Sequence, residues 1–157
     1  MVSEKERVLE AVRGGRLDDL VPLVAANKSA VRTLLALSYR REPEVRAIAA
    51  RGVALASRFH PKLVQEVARR LVWAMNDESG THAVTAPEVL RAIAEESPEL
   101  LLPLVPSLLS LTADPGLHDA LVEVVRIVAR HDPNAAVGGM ARAINACKKR
   151  VNEESGA

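Results

Sequence analysis

Residues Glu88–Pro98 read EVLRAIAEESP, and residues Glu123–Pro133 read EVVRIVARHDP. Superposed at a shift of 35 residues, they share Glu, Val, Arg, Ala and Pro at matching places, a coincidence too dense for chance. The stretches before them repeat as well. At a shift of 37, Leu63, Val64, Val67, Ala68, Leu71 and Val72 fall on Leu100, Leu101, Leu104, Val105, Leu108 and Leu109. Steps of three and four are the spacing of one helical face. A weaker copy comes earlier, where Pro61 matches Pro98 at the same shift of 37, and a half-copy follows in NAAVGGMARAINACKKR, whose Ala135, Ala136, Met140 and Ile144 continue the stripe. The repeating unit is a helical hairpin of about 36 residues. One hairpin cannot bury both its faces, so stacking on its neighbours must supply the core.

Proline punctuation supports the same division. Pro43, Pro61, Pro98, Pro115 and Pro133 follow Glu42, His60, Ser97, Asp114 and Asp132. A cap residue followed by proline suits a helix start, because proline lacks the amide that would be unsatisfied there. Helices are therefore predicted to begin near 43, 61, 98, 115 and 133, after earlier ones at 3–13, 17–26 and 29–39 separated by Gly14-Gly15 and Asn27-Lys28. That makes eight or nine helices and no strand, in a single domain over 1–150 with a tail at 151–157.

Composition agrees. The 157 residues suit one domain, and 48 % are apolar but only 2 % aromatic, so Leu, Val, Ile and Ala must build the core. The most apolar run, Leu100 to Leu111, is interrupted by Pro103 and Pro106, and the N-terminus has no run of signal-peptide length. No membrane contact is expected. A lone cysteine, Cys147, excludes an internal disulfide framework and fits a reducing compartment, from which a cytoplasmic location is expected.

At EPEVRAIAARGVAL, Glu42 to Leu55, the chain resembles the second helix of a HEAT repeat, in which proline, then Val-Arg, then a small-residue stripe recur; Val45-Arg46 carries the likeness. Prolines inside a first helix, as in ELLLPLVPSLL, belong to the same superfamily pattern. The resemblance covers roughly residues 28 to 149 and implies a short right-handed α-solenoid of stacked antiparallel hairpins, armadillo-like in its broad class. Met75 to Gly80, MNDESG, with Ala86 to Glu88, also resembles a segment of a group of short bacterial HEAT-repeat proteins without an assigned activity. Thr81-His82-Ala83-Val84-Thr85 departs from that group's Gly- and Trp-containing pattern. These resemblances imply a fold and no particular chemistry.

The least ordinary segment is WAMNDESGTHAVTAPE, Trp73 to Glu88. First helices align at 37 and second helices at 35, so its connection is about two residues longer than its counterpart TADPGLHDA. Two readings stand. In one, a loop runs from Asn76 to Val84, and Thr85 with Glu88 forms a capping box. In the other, Ser79 caps a helix that begins near Gly80 and passes through Pro87, with Asp77 and Glu78 at its positive end. Beyond capping, Trp73, Asn76, Asp77, Glu78, Ser79 and His82 form a candidate partner-binding ridge, since loops at a solenoid edge are where specificity resides.

Catalytic chemistry finds little footing. Asp77 and Glu78 are adjacent, so their side chains diverge, whereas acid/base pairs are held across a substrate by separate elements. His60, His82, His118 and His131 are scattered, without metal-ligand spacing, and are read as structural or surface residues. Cys147 has Lys148 and Lys149 beside it, but its place at a helix C-terminus disfavours thiolate. Gly138-Gly139 sits in a helical pattern and suits close packing rather than phosphate. Neither a catalytic group nor a metal nor a cofactor is expected.

The net charge of +1 hides a segregation. Residues 28–72 carry ten Lys/Arg against three acids, while residues 73–120 carry Arg91 against eight acids, hence +7 and −7. Arg46, Arg51, Arg58, Arg69 and Arg70 form a candidate basic face. A bipolar surface suits recognition of another protein or of a second copy. It also leaves room for phosphate contact, and the architecture resembles HEAT-like alkylpurine DNA glycosylases. Against nucleic acid stand the near-neutral total and the scarcity of aromatics for stacking. The sequence reading is a non-enzymatic protein-binding or scaffold module, with nucleic-acid binding through the 28–72 face as the alternative.

Overall fold

The computed structural model describes residues 2–77 and 81–133, the side chains of residues 81–84 excepted. Among these residues the chain is all-α. In order come α1 (Glu4–Arg13), α2 (Leu17–Ala26), α3 (Ser29–Leu37), α4 (Pro43–Leu55), α5 (Pro61–Asn76), α6 (Thr81–Glu96), α7 (Val105–Leu111) and α8 (His118–His131), with 3₁₀ segments at Ala56–Arg58 and Pro98–Leu104.

Local chemistry accounts for most boundaries. The Glu6 amide donates to Ser3 Oγ at 3.2 Å while the Ser3 amide donates to the Glu6 carboxylate at 3.4 Å, a capping box that starts α1. The helix stops where Gly15 takes a φ of 65°, a left-handed turn that costs glycine nothing. α4 and α5 start at Pro43 and Pro61, as the proline spacing predicts. The preceding Glu42, His60 and Ser97 nevertheless make no side-chain cap. The fixed φ of proline is sufficient to start the turn, and the Ser97 hydroxyl is used elsewhere, 2.5 Å from that of Ser57 in a buried pair that joins successive hairpins.

Three boundaries differ from expectation. α3 ends at Leu37 rather than 39. Pro98 opens a 3₁₀ segment, and an α-helix follows only from Val105, because Pro103 and Pro106 have no amides to give to an α-helical ladder. α8 begins at His118 rather than 115, since Asp114 Oδ1 accepts the Gly116 amide at 2.9 Å and closes a turn first.

Between the two readings of Trp73 to Glu88, the structure takes the helical one. α6 is already helical at Thr81 and continues through Pro87, forgoing one backbone bond, so Thr85 lies inside a helix and cannot cap one. The loop over 76–84 is thereby overturned. Glu78, Ser79 and Gly80, and with them the proposed Ser79 cap, lie outside the described residues.

The helices pack in two rows. α2, α4, α6 and α8 stack on one another in that order, while α1 packs on α3 and α5 on α7 on the other side. Neighbours in the chain also pair, as α3 with α4, α5 with α6 and α7 with α8, which is a solenoid-like arrangement. The repeat seen in the sequence reappears as burial. Val64, Val67, Ala68 and Leu71 are buried, and so are their counterparts Leu101, Leu104, Val105 and Leu108; Ala86, Val89, Leu90 and Ile93 are matched by buried Leu121, Val124, Val125 and Val128. Each of the larger aliphatic side chains contributes roughly 1.5–3 kcal/mol by leaving water. A close approach is made at Gly52 of α4, where a Cβ would stand 3.0 and 3.1 Å from the Leu34 methyls and 3.2 Å from a Leu20 methyl.

Candidate binding face

Packing decides which polar side chains remain available. On α5 the apolar stripe Val64, Val67, Ala68, Leu71, Val72 and Met75 is buried. At 100° per residue, the polar and aromatic residues Lys62, Glu66, Arg69, Arg70, Trp73 and Asn76, with Asp77 at the helix end, fall within about 120° of the helix circumference, with Trp73 near the middle. All seven are exposed. Trp73, the only tryptophan of the chain, shows 67 % of its surface to solvent although many aliphatic residues are hidden. Its companions carry both signs of charge. Arg70 Nε lies 3.6 Å and Arg69 Nη1 3.9 Å from the Glu66 carboxylate, pairs exposed enough to be worth little.

The two groups of candidate residues are therefore regrouped by the fold. Trp73, Asn76 and Asp77 do stand together, at the C-terminal end of α5. Arg69 and Arg70, read from sequence as part of a basic face, join them. Glu78 and Ser79 lie outside the described residues, as does the side chain of His82. Glu66 and Lys62 complete the stripe; the spacing of 62, 66, 69/70, 73 and 76/77 was the sequence signal for it.

The other three arginines belong to α4 and its 3₁₀ extension. Arg46 is turned to structural use: Nε donates to Glu88 of α6 at 3.2 Å, and Nη1 to the carbonyls of Arg41 at 3.0 Å and Arg40 at 3.3 Å. Arg58 pairs with Glu96, again on α6. Arg51 is exposed and lines a cleft of about 270 Å³ between α2, α4 and α6, where Arg58 also faces Asp18, Glu95 and Glu96. The basic and acidic halves of the sequence thus meet at the α4–α6 contact and partly neutralise each other there. Of the five arginines, Arg46 and Arg58 are paired with carboxylates of α6, while Arg69 and Arg70 stand on α5 beside Glu66.

Two histidines serve the backbone. His60 Nε2 lies 2.9 Å from the Val24 carbonyl, and His118 Nδ1 lies 3.0 Å from the Thr112 carbonyl, so each ring ties the start of its helix to a neighbouring segment. Among the described residues no three His, Cys, Asp or Glu side chains gather into a metal-binding group. Cys147, Gly138 and Gly139 lie outside those residues. Burial raises the Tyr39 phenol above its ordinary pKa. No described helix is long and apolar enough to cross a membrane. No family model matches the chain, and no curated protein and no solved structure matches it.

Proposed function

We propose that this chain is a protein-binding or scaffold module of the HEAT-like kind, without enzymatic activity of its own, and that it holds its partner on the exposed face of α5. One observation carries the reading: the only tryptophan, Trp73, stands 67 % exposed amid side chains that can donate and accept hydrogen bonds. An indole left in water is an unused source of affinity. Covering it contributes roughly 2–4 kcal/mol, enough for one residue to dominate an interface. Arg69, Arg70, Asn76 and Asp77 around it supply a polar rim that selects the partner. A cytoplasmic setting suits a chain with one cysteine.

The test is affinity capture from the source cell's lysate with wild-type bait, Trp73→Ala bait, Asp77→Asn bait and Arg51→Ala bait. A protein retained by wild type and Arg51→Ala, but lost from Trp73→Ala and weakened by Asp77→Asn, supports the reading. Identical captures from all four baits refute it.

A second reading draws on the same face. Arg69 and Arg70 beside an exposed indole also suit single-stranded nucleic acid, with a base stacked on the ring and phosphates on the guanidiniums. Glu66 and Asp77 on the stripe oppose it, and Arg46 and Arg58 are engaged with carboxylates. Steep loss of affinity with added salt, together with indifference to Asp77→Asn, would favour nucleic acid over protein.

A further inference from the structure

A second surface lies on different helices, at the seam of α1 and α3. The two helices pack together, with Val8 and Val12 buried on α1 and Ala30, Val31 and Leu34 buried on α3. Above that contact an open cleft of about 410 Å³ has a floor of Leu9, Ala36 and Leu37, with Thr33 beside them, and a rim of Lys5, Arg32 and Arg40. No acidic side chain among the described residues lines it. Among the described residues, none of these three cations has a carboxylate within ion-pair distance, unlike Arg46, Arg58 and Arg70. The acids of the first turn of α1 are committed elsewhere. Glu4 accepts from Asn27 Nδ2 at 2.5 Å and from Ser29 Oγ at 3.2 Å, and Glu6 closes the capping box on Ser3.

An apolar floor under a rim of one charge is complementary to an amphipathic element of the opposite charge. We propose that this cleft receives an amphipathic helix of a partner protein, its aliphatic side chains on Leu9, Ala36 and Leu37 and its acidic flanks against Lys5, Arg32 and Arg40. The spacing of the cations argues for a helix over a small anion. Lys5 stands on α1, Arg32 in the first turn of α3 and Arg40 three residues beyond the end of α3, so the positive charge is spread along the rim rather than gathered at one point, and acids on successive turns of a docked helix can meet it. Ala36, placed between Arg32 and Arg40 in sequence, is small enough to let a backbone come close. Phosphates of a nucleic acid would satisfy the cations but leave the floor uncovered, and among the described residues no aromatic ring lines the cleft for stacking. The Trp73 face plays no part in this contact.

The test is fluorescence anisotropy with the full chain and three labelled probes: a peptide with Leu at i, i+3, i+4 and i+7 and Glu on its flanks, the same peptide with Lys replacing Glu, and single-stranded DNA. Saturable micromolar binding of the Glu peptide is expected, weakened about tenfold or more by Arg32→Glu with Arg40→Glu and left unchanged by Trp73→Ala. Both arginines are exposed, so the charge-reversed chain folds, and circular dichroism checks it. That variant should gain affinity for the Lys peptide, a rescue that unfolding cannot mimic. The proposal is overturned if the Glu peptide shows no saturable binding by millimolar concentration, if the Lys peptide binds the wild type equally well, if DNA displaces the Glu peptide, or if charge reversal changes nothing.

Discussion

Gly52 offers the sharpest test of how this fold is packed, because two known effects oppose each other there. Replacing a helix-interior glycine by alanine stabilises the helix by about 0.8–1 kcal/mol when the methyl group points into open space. At Gly52 it does not. The new Cβ would lie 3.0 and 3.1 Å from the two Leu34 methyls and 3.2 Å from a Leu20 methyl, against the 3.5–4.0 Å of comfortable carbon contacts. Both leucines are completely buried, so neither can swing into solvent. Overpacking of this kind costs about 1–3 kcal/mol, and the expected net result for Gly52→Ala is a loss of about 0.5–2 kcal/mol, a fall in Tm of a few degrees. Urea denaturation followed by far-ultraviolet circular dichroism reads this as a lower midpoint at an unchanged slope. The decisive arm is the Leu34→Ala background, itself costing about 2–5 kcal/mol. There the space is free, Leu20 can relax into it, and Gly52→Ala should stabilise by up to about 1 kcal/mol. If Gly52→Ala is neutral or stabilising in the wild type, or has the same sign in both backgrounds, α4 does not make the close approach to α2 and α3 on which the reasoning rests.

Three further outcomes are expected. Trp73 should emit at the long wavelength of a hydrated indole and be readily quenched by acrylamide, and Trp73→Ala should change stability by no more than about 0.5 kcal/mol; a blue-shifted, protected emission would remove Trp73 as an exposed anchor. Arg46→Ala should cost about 1–2 kcal/mol, because it breaks the bonds to Glu88 and to the Arg40 and Arg41 carbonyls, whereas the highly exposed Arg70→Ala should cost less than about 0.5 kcal/mol by the same denaturation assay. Tyr39, the single tyrosine, should ionise above the usual tyrosine range in an absorbance titration, because burial favours the neutral phenol. Since the folded chain then holds that proton more tightly than the unfolded one, its contribution to stability is complete below the unfolded value and lost as pH rises through the folded value, a loss that Tyr39→Phe should abolish.

The hairpin repeat was legible because burial and helical period act on the same residues. The two halves of the hairpin align within the sequence itself, and the central apolar positions, such as Val64 with Leu101 and Leu90 with Val125, are buried in pairs. Proline positions located the starts of α4 and α5 for an equally local reason. The misplacement of α8 has the opposite cause: Asp114 and Gly116 close a side-chain turn that competes with Pro115 as a helix start, and sequence offers no way to weigh the two. The binding face was half legible. The α5 stripe follows from period alone, but which arginines are free depends on what lies opposite, and no pattern within residues 28–72 announces that Arg46 and Arg58 will meet Glu88 and Glu96. The α1–α3 cleft was not foreseen, because it arises from two helices whose separate sequences give no hint of their shared rim.

The Pro98–Leu104 segment gives this molecule an internal control for amide exchange. It occupies in its hairpin the place that the first half of α5 occupies in the preceding one, and Leu101 and Leu104 are as hidden as Val64 and Val67. Solvent screening by side chains is thus nearly matched while the backbone bonding differs, with amides bonding three residues back in one segment and four residues back in the other. Any contrast in deuterium uptake between the Val64 and Val67 amides and those of Leu101 and Leu104 therefore reports the strength of the ladder itself. Where the 3₁₀ amides exchange much faster, this repeat opens at its first turn without losing its leucine contacts. Where the rates agree, shared burial alone governs how each hairpin breathes.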